Sequence, residues 1–159
     1  MGIQDIILKE IPPRTIAYLH CKGSWHQLPE MIEELDRQMS QISLSAVGPI
    51  SGIYYNTPNE VSTQDLRWEV FYPVPTNTPE SSDNTTGVGV RNLTETKMAS
   101  ILHKDSYRKA GSSYGRLEEW IKREGLKKVC GISEEVYISV FGVPNEEQMM
   151  EIRIPISST

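Results

Sequence analysis

Glu135 and Tyr137 stand two residues apart in Glu134-Glu135-Val136-Tyr137-Ile138-Ser139-Val140, a run alternating at the period of a β-strand. That spacing sends Glu135, Tyr137 and Ser139 to one face and Val136, Ile138 and Val140 to the other, the second set suiting a core. A carboxylate beside a ring is what a bulky organic cation needs. The acid supplies charge, and each ring adds roughly 0.5–2 kcal/mol through cation–π contact. In a dry site an unpaired Glu135 carboxylate would cost several kcal/mol or take up a proton, and a cationic ligand removes that cost. Further ring donors for such a site are Tyr55 or Tyr54 and Trp68. Trp68 shares its strand face with Val70 and Tyr72, so core packing explains it equally well. Glu69, on the opposite face with Phe71, is a further candidate binding residue matched by Glu151; these twin carboxylates either line the cleft or are solvated. Trp25 and Tyr107 precede the two expected helices, where they either cap the ends of a pocket or pack at sheet–helix junctions.

Other chemistries find little support. His20, His26, His103 and Cys21 lack a metal-ligand spacing, and no Gly-rich phosphate loop, nucleophile elbow or paired-cysteine motif occurs, so no metal or cofactor is expected. The formal net charge of -5 and the absence of a Lys/Arg cluster argue against direct nucleic-acid binding. No apolar run reaches the length of a membrane span and the N-terminus has no signal-peptide pattern, so no membrane partner and a cytoplasmic location are expected. In that compartment Cys21 and Cys130 are read as reduced thiols, and Asn84-Thr85-Thr86 and Asn92-Leu93-Thr94 as incidental glycosylation matches.

The elements that must position these residues can be read in order. Residues 3–11 alternate as a strand ended by Pro12-Pro13, and Thr15 to Leu19 form a second. Ser24 is a plausible N-cap for a helix whose stripe is Leu28, Ile32, Leu35, Met39 and Ile42, with Pro29 tolerated in its first turn. Ile53-Tyr54-Tyr55 opens a third strand, and Leu66 to Val74 form a fourth. A polar linker covers 75–87. Beyond it the sequence echoes itself at an offset of 82: Ile16-Ala17 falls on Met98-Ala99, Trp25 on Tyr107, Leu35 on Leu117, and Glu69-Val70 on Glu151-Ile152. The second helix, about 108–124, turns Tyr114, Leu117 and Ile121 inward and stops at Gly125. The expectation is one α+β domain over 1–159, with repeat one over about 3–74 and repeat two over about 88–157. Each repeat is a strand-strand-helix-strand-strand unit, related by pseudo-twofold symmetry, with antiparallel sheets forming a central cleft.

The cleft between the halves is the default pocket, each helix covering one face of its own sheet. The offset of 82 sets Tyr55 against Tyr137 and Ile53 against Glu135; a slip of one residue sets Tyr54 against Tyr137 and Gly52 against Glu135. In either register Glu135 has no acidic counterpart, as a site needing one anionic centre would require. A solvated Glu135 on an exposed strand face is the plainer alternative.

The runs Asp65-Leu66-Arg67-Trp68-Glu69-Val70-Phe71-Tyr72-Pro73-Val74, Leu102 to Tyr107, Tyr114 to Ile121, Glu134 to Tyr137 and Glu151 to Ile156 are similar to those of the GyrI-like, or AraC-type effector-binding, domain family. The resemblance covers essentially the whole chain. It implies two strand-helix-strand-strand units with a pocket between them, in which the glutamate of a Glu-x-Tyr run, here Glu135 beside Tyr137, meets cationic and often multidrug-like ligands. Family domains are often fused to DNA-binding regions; no helix-turn-helix segment is read here. Two departures stand out: Asp105 replaces a glycine kept at Gly23, and Ser139-Val140-Phe141-Gly142 replaces a short Asp-Pro exit. The leading expectation is a binder of hydrophobic cationic small molecules, acting as an effector or multidrug sensor, possible protein partners including a transcription regulator. The alternatives implied by the resemblance are a small hydrolase of electrophilic or strained compounds, with Glu135 as base and Tyr137 as oxyanion donor, and a DNA gyrase inhibitory-type interaction module. Binding is preferred to catalysis.

Overall fold

The structure, a computed structural model, describes residues 6–82, 87–129, 131–139 and 143–157. Cys130, Asn84-Thr85-Thr86, the Val140-Phe141-Gly142 exit and the first residues of the expected leading strand lie outside the described residues. Eight strands and two helices follow the order β1 (Ile7–Ile11), β2 (Arg14–Lys22), α1 (Leu28–Gln41), β3 (Ser51–Tyr54), β4 (Arg67–Val74), β5 (Gly89–Leu93), β6 (Thr96–Lys104), α2 (Ala110–Arg123), β7 (Ser133–Tyr137) and β8 (Met149–Pro155). The fold is α+β, and strand-strand-helix-strand-strand occurs twice in succession. All observed ladders are antiparallel.

The chain forms two compact units: one runs from Pro12 to Glu95, and the other joins the chain up to Ile11 with Thr96 onward. Sequence order and compactness therefore divide the strands differently. β1 pairs with β6, and β5 returns to β2.

In the 12–95 unit the strand order is β3-β4-β2-β5. Ser24 accepts a hydrogen bond from the backbone N–H of His26 and so starts a 3₁₀ turn, Trp25–Gln27, that leads into α1. Proline at the start of α1 costs no hydrogen bond there, and the buried face is Ile32, Leu35, Gln38 and Met39. Leu35 has 0% exposure, a burial worth roughly 2–3 kcal/mol. Gly23 holds φ +105, and its N–H donates to the Leu66 carbonyl at 2.8 Å, closing the β2–helix turn onto the start of β4.

In the other unit the order is β1-β6-β8-β7. Ser106 caps a matching 3₁₀ turn, Tyr107–Lys109, and α2 buries Ala110, Ser113, Leu117 and Ile121. Gly125, at φ +72, ends it in a Schellman motif: its N–H donates to Lys122 and that of Leu126 to Ile121. Asp105, where the first half has Gly23, adopts no positive φ. Its carboxylate accepts from the Ser106 N–H at 2.7 Å and lies 3.8 Å from the Lys109 ammonium.

The pairing decides the slip left open by the sequence. Tyr54 lies opposite Trp68 and Tyr137 opposite Met150, which are 82 apart. Tyr54 is thus the counterpart of Tyr137, and Gly52, opposite Val70, is the counterpart of Glu135, opposite Ile152. The connection from Tyr137 to Met150 is one residue shorter than that from Tyr54 to Trp68.

Candidate functional site: a carboxylate among tyrosines

Antiparallel partners share a face, so the registers assign every side chain. Glu135 and Tyr137 share theirs with Met150, Ile152, Ile101 and His103. α2 covers this face: His103 Nδ1 lies 2.7 Å from Ser113 Oγ, and the Tyr114 hydroxyl donates to Glu135 Oε2. The alternation expected from sequence is present, but its polarity is reversed. Glu135 faces its own helix, and Val136 shares the opposite face with Glu134 and Glu151. Ile138, expected in the core, is 47% exposed.

Tyr137 is 3% exposed, and its ring folds back over the strand so that its hydroxyl donates to Glu135 Oε1 at 2.7 Å. Tyr54 folds back in the same way over Gly52, where an added Cβ would meet the Tyr54 hydroxyl oxygen at 2.8 Å. One unit fills the space under the ring with a carboxylate and the other leaves it to glycine. Tyr107 adds a third ring, edge-on to Tyr137 with centroids 5.5 Å apart, its hydroxyl 2.9 Å from Ser139 Oγ. Among the described residues no lysine or arginine forms an ion pair with the half-buried Glu135. Burial pushes its carboxyl above the ordinary range, opposed by the hydroxyls of Tyr114 and Tyr137 and by the charge of His103. Burial likewise raises the Tyr107 hydroxyl.

The remaining expected residues gather in the 12–95 unit. Trp68 is 1% exposed on the side that faces α1, and its Nε1–H donates to the Gly23 carbonyl at 3.0 Å. Tyr54 stacks on it with centroids 6.2 Å apart, and Trp25, partly exposed, meets Tyr54 edge-on at 5.4 Å. On the opposite face Glu69 is buried and accepts both Arg91 guanidinium donors, at 3.0 and 2.7 Å. The Tyr55 hydroxyl donates to Glu69 at 2.7 Å, and burial, reinforced by Glu69, pushes that hydroxyl up to about 12. This face borders a cavity of ≈ 750 Å³ whose lining includes Tyr18, His20, Lys22, Tyr55, Arg67 and Arg91. Glu69 and Glu151, the symmetric carboxylates, are both buried and each is held by its own arginine, Arg91 and Arg153.

Tyr114 and Arg91 make contacts that the sequence did not reveal. Tyr114 falls on the apolar stripe of α2 and reads as core; only its hydroxyl, reaching Glu135, distinguishes it. Arg91 sits beyond the linker, and nothing in its neighbourhood points to Glu69, 22 residues away.

The sequence matches the family described as GyrI-like small molecule binding domain over residues 4–157. The chain belongs to this family. No curated protein matches it in sequence. Among solved structures it is similar to the EcmrR C-terminal domain, at 15% identity and a TM-score of 0.79, covering 99% of this chain and 100% of that one. A structure described as a hydrolase from Listeria innocua aligns with a TM-score of 0.75 at 14% identity, over 96% of this chain and 91% of that chain. SAV2435 bound to tetraphenylphosphonium aligns with a TM-score of 0.58 at 14% identity, over 97% and 94%. At these identities the likeness is one of fold. This GyrI-like chain has no described helix long and apolar enough to cross a membrane, and no described group of three or more His, Cys, Asp or Glu placed to hold a metal ion.

Proposed function

We propose that this GyrI-like domain binds hydrophobic organic cations at Glu135, with Tyr107, Tyr114 and Tyr137 as the surrounding rings. The observation that carries this reading is a half-buried carboxylate that two tyrosine hydroxyls contact and no described lysine or arginine neutralises. Two hydroxyl donors stabilise the charged form but bring no positive charge, so, beyond the smaller effect of His103, a ligand cation gains the attraction of a partly desolvated acid. The rings add cation–π contact. The tetraphenylphosphonium complex of SAV2435 supports a lipophilic cation as the ligand class. Likeness to the EcmrR C-terminal domain, and to EcmrR in a DNA complex, supports a ligand-sensing role in transcription regulation.

The test is titration with tetraphenylphosphonium and with neutral triphenylphosphine oxide, followed by melting temperature. The cation should raise the melting temperature and the neutral compound should not. In Glu135→Gln the cation's effect should fall at least tenfold in apparent affinity. Equal responses to the two compounds, or an unaltered response in the variant, would sink the cation site.

A second reading is hydrolysis of electrophilic compounds, with Glu135 as general base and Tyr137 as donor to the developing oxyanion. It is favoured by the upward push on the Glu135 carboxyl, which suits proton transfer, and by the fold shared with the Listeria innocua hydrolase. Turnover of a reactive epoxide that disappears in Glu135→Gln would support it; binding without product would exclude it.

A further inference from the structure

Cation capture at Glu135 leaves the cavity of the 12–95 unit without a role. Three cations, Lys22, Arg67 and Arg91, and one carboxylate, Glu69, line it. Its formal charge is therefore +2 with His20 neutral, in a chain of net charge -5. Arg91 and Glu69 satisfy each other: the guanidinium donates to both carboxylate oxygens and lies 4.3 Å over the Tyr18 ring. Lys22 and Arg67 remain.

These two residues are direct partners in the β2–β4 ladder. Like charges placed directly opposite each other on one sheet face repel. Both are exposed, and neither forms an ion pair with a described residue. An uncompensated, exposed cation pair among the lining residues of a cavity that also includes tyrosines is an arrangement that an anion completes. The cavity, at ≈ 750 Å³, is in the range of small-molecule sites and has room for far more than a lone ion. The forked donors of Arg67 match a planar carboxylate, Lys22 adds a point charge, and Tyr18 and Tyr55 in the same lining offer ring contacts.

We propose that this cavity binds a small planar aromatic acid whose carboxylate bridges Lys22 and Arg67. The site is separate from Glu135 and does not rest on the cation reading.

Calorimetric titration of the full chain with 2-naphthoate, its neutral analogue 2-naphthamide and acetate tests the proposal. Naphthoate should bind at least tenfold tighter than either. Lys22→Gln and Arg67→Gln should each lose about tenfold in naphthoate affinity, with no drop in melting temperature because each relieves a like-charge contact. Glu135→Gln should bind naphthoate unchanged. The proposal is overturned by absent naphthoate binding, by equal affinity for the amide or for acetate, or by retained affinity in both cation variants. A tenfold loss in Glu135→Gln would overturn it too, by moving the acid to the other site.

Discussion

Glu151 offers the most quantitative check on how the sheet around the site is held. It is 9% exposed and accepts hydrogen bonds from Lys9 at 2.7 Å, Ser100 at 2.6 Å and Arg153 at 3.0 and 3.2 Å. Burial alone would raise its carboxyl. The donors from Arg153, Lys9 and Ser100 overcome that and push it down to about 2, from an ordinary 4.5. A difference of about 2.5 units corresponds to roughly 3 kcal/mol. Because the folded value is depressed, this stability is fully present above pH 4.5 and is lost as pH falls toward 2. Glu151→Gln keeps the shape and removes the charge, leaving Arg153 with Glu134 at 3.0 Å and Lys9 free to reach solvent. The variant should be about 3 kcal/mol less stable at pH 7, measured by urea unfolding followed through tryptophan fluorescence. The gap should close between pH 4.5 and 2, since protonated Glu151 offers Arg153 and Lys9 no charge either. Every other carboxylate titrates in both proteins, so the difference isolates this one. A gap that stays constant with pH would refute the reasoning and assign the loss to packing.

Because the folded Glu135 carboxyl titrates above 4.5, affinity for tetraphenylphosphonium should decline as pH falls through that raised value, while Glu135→Gln should give a flat profile. Tyr114→Phe removes one donor that favours the charged form and should move the midpoint of the decline to higher pH, a change visible in binding isotherms taken across pH 4 to 8. Gly89→Ala would place a Cβ 2.5 Å from the Tyr18 ring, and the displaced ring would lose its contact with Arg91. The expected loss is about 1–3 kcal/mol in denaturant unfolding, together with weakened naphthoate binding.

Most elements were legible because each carries its own signal. Leu28, Ile32, Leu35, Met39 and Ile42 recur at helical spacing, and Ile32, Leu35 and Met39 form the buried face of α1, while Ile42 lies just past its end and is exposed. Gly125 ends α2 as expected, but Ser24 caps the 3₁₀ turn that precedes α1, not α1 itself. Glu135 and Tyr137 were legible as an acid and a ring on one strand face, and they hydrogen-bond. Their environment was not. Period-two alternation separates two faces without saying which one meets the helix, because both faces of β7 hold a carboxylate and an apolar or aromatic partner. The polarity was set by pairing with β8, whose Ile152 and Met150 seat Glu135 and Tyr137 under α2. Glu69 shows a related limit. As a strand carboxylate it could line a cleft or be solvated; it is buried, and its burial depends on Arg91, which reaches it only after β5 has returned to β2.

The sequence by itself determined the two-fold recurrence of elements, the family, and the acid that one half has and the other lacks. These are properties of residue order and local periodicity, and they survive any rearrangement of the strands. Tertiary structure decided what depends on who lies beside whom: that Tyr54, not Tyr55, is the counterpart of Tyr137, that Tyr114 joins the carboxylate, and that Lys22 faces Arg67 across a ladder. Each rests on a hydrogen-bond register between strands distant in sequence. A shift of one residue, invisible in composition and nearly so in pattern, would reverse every face it touches.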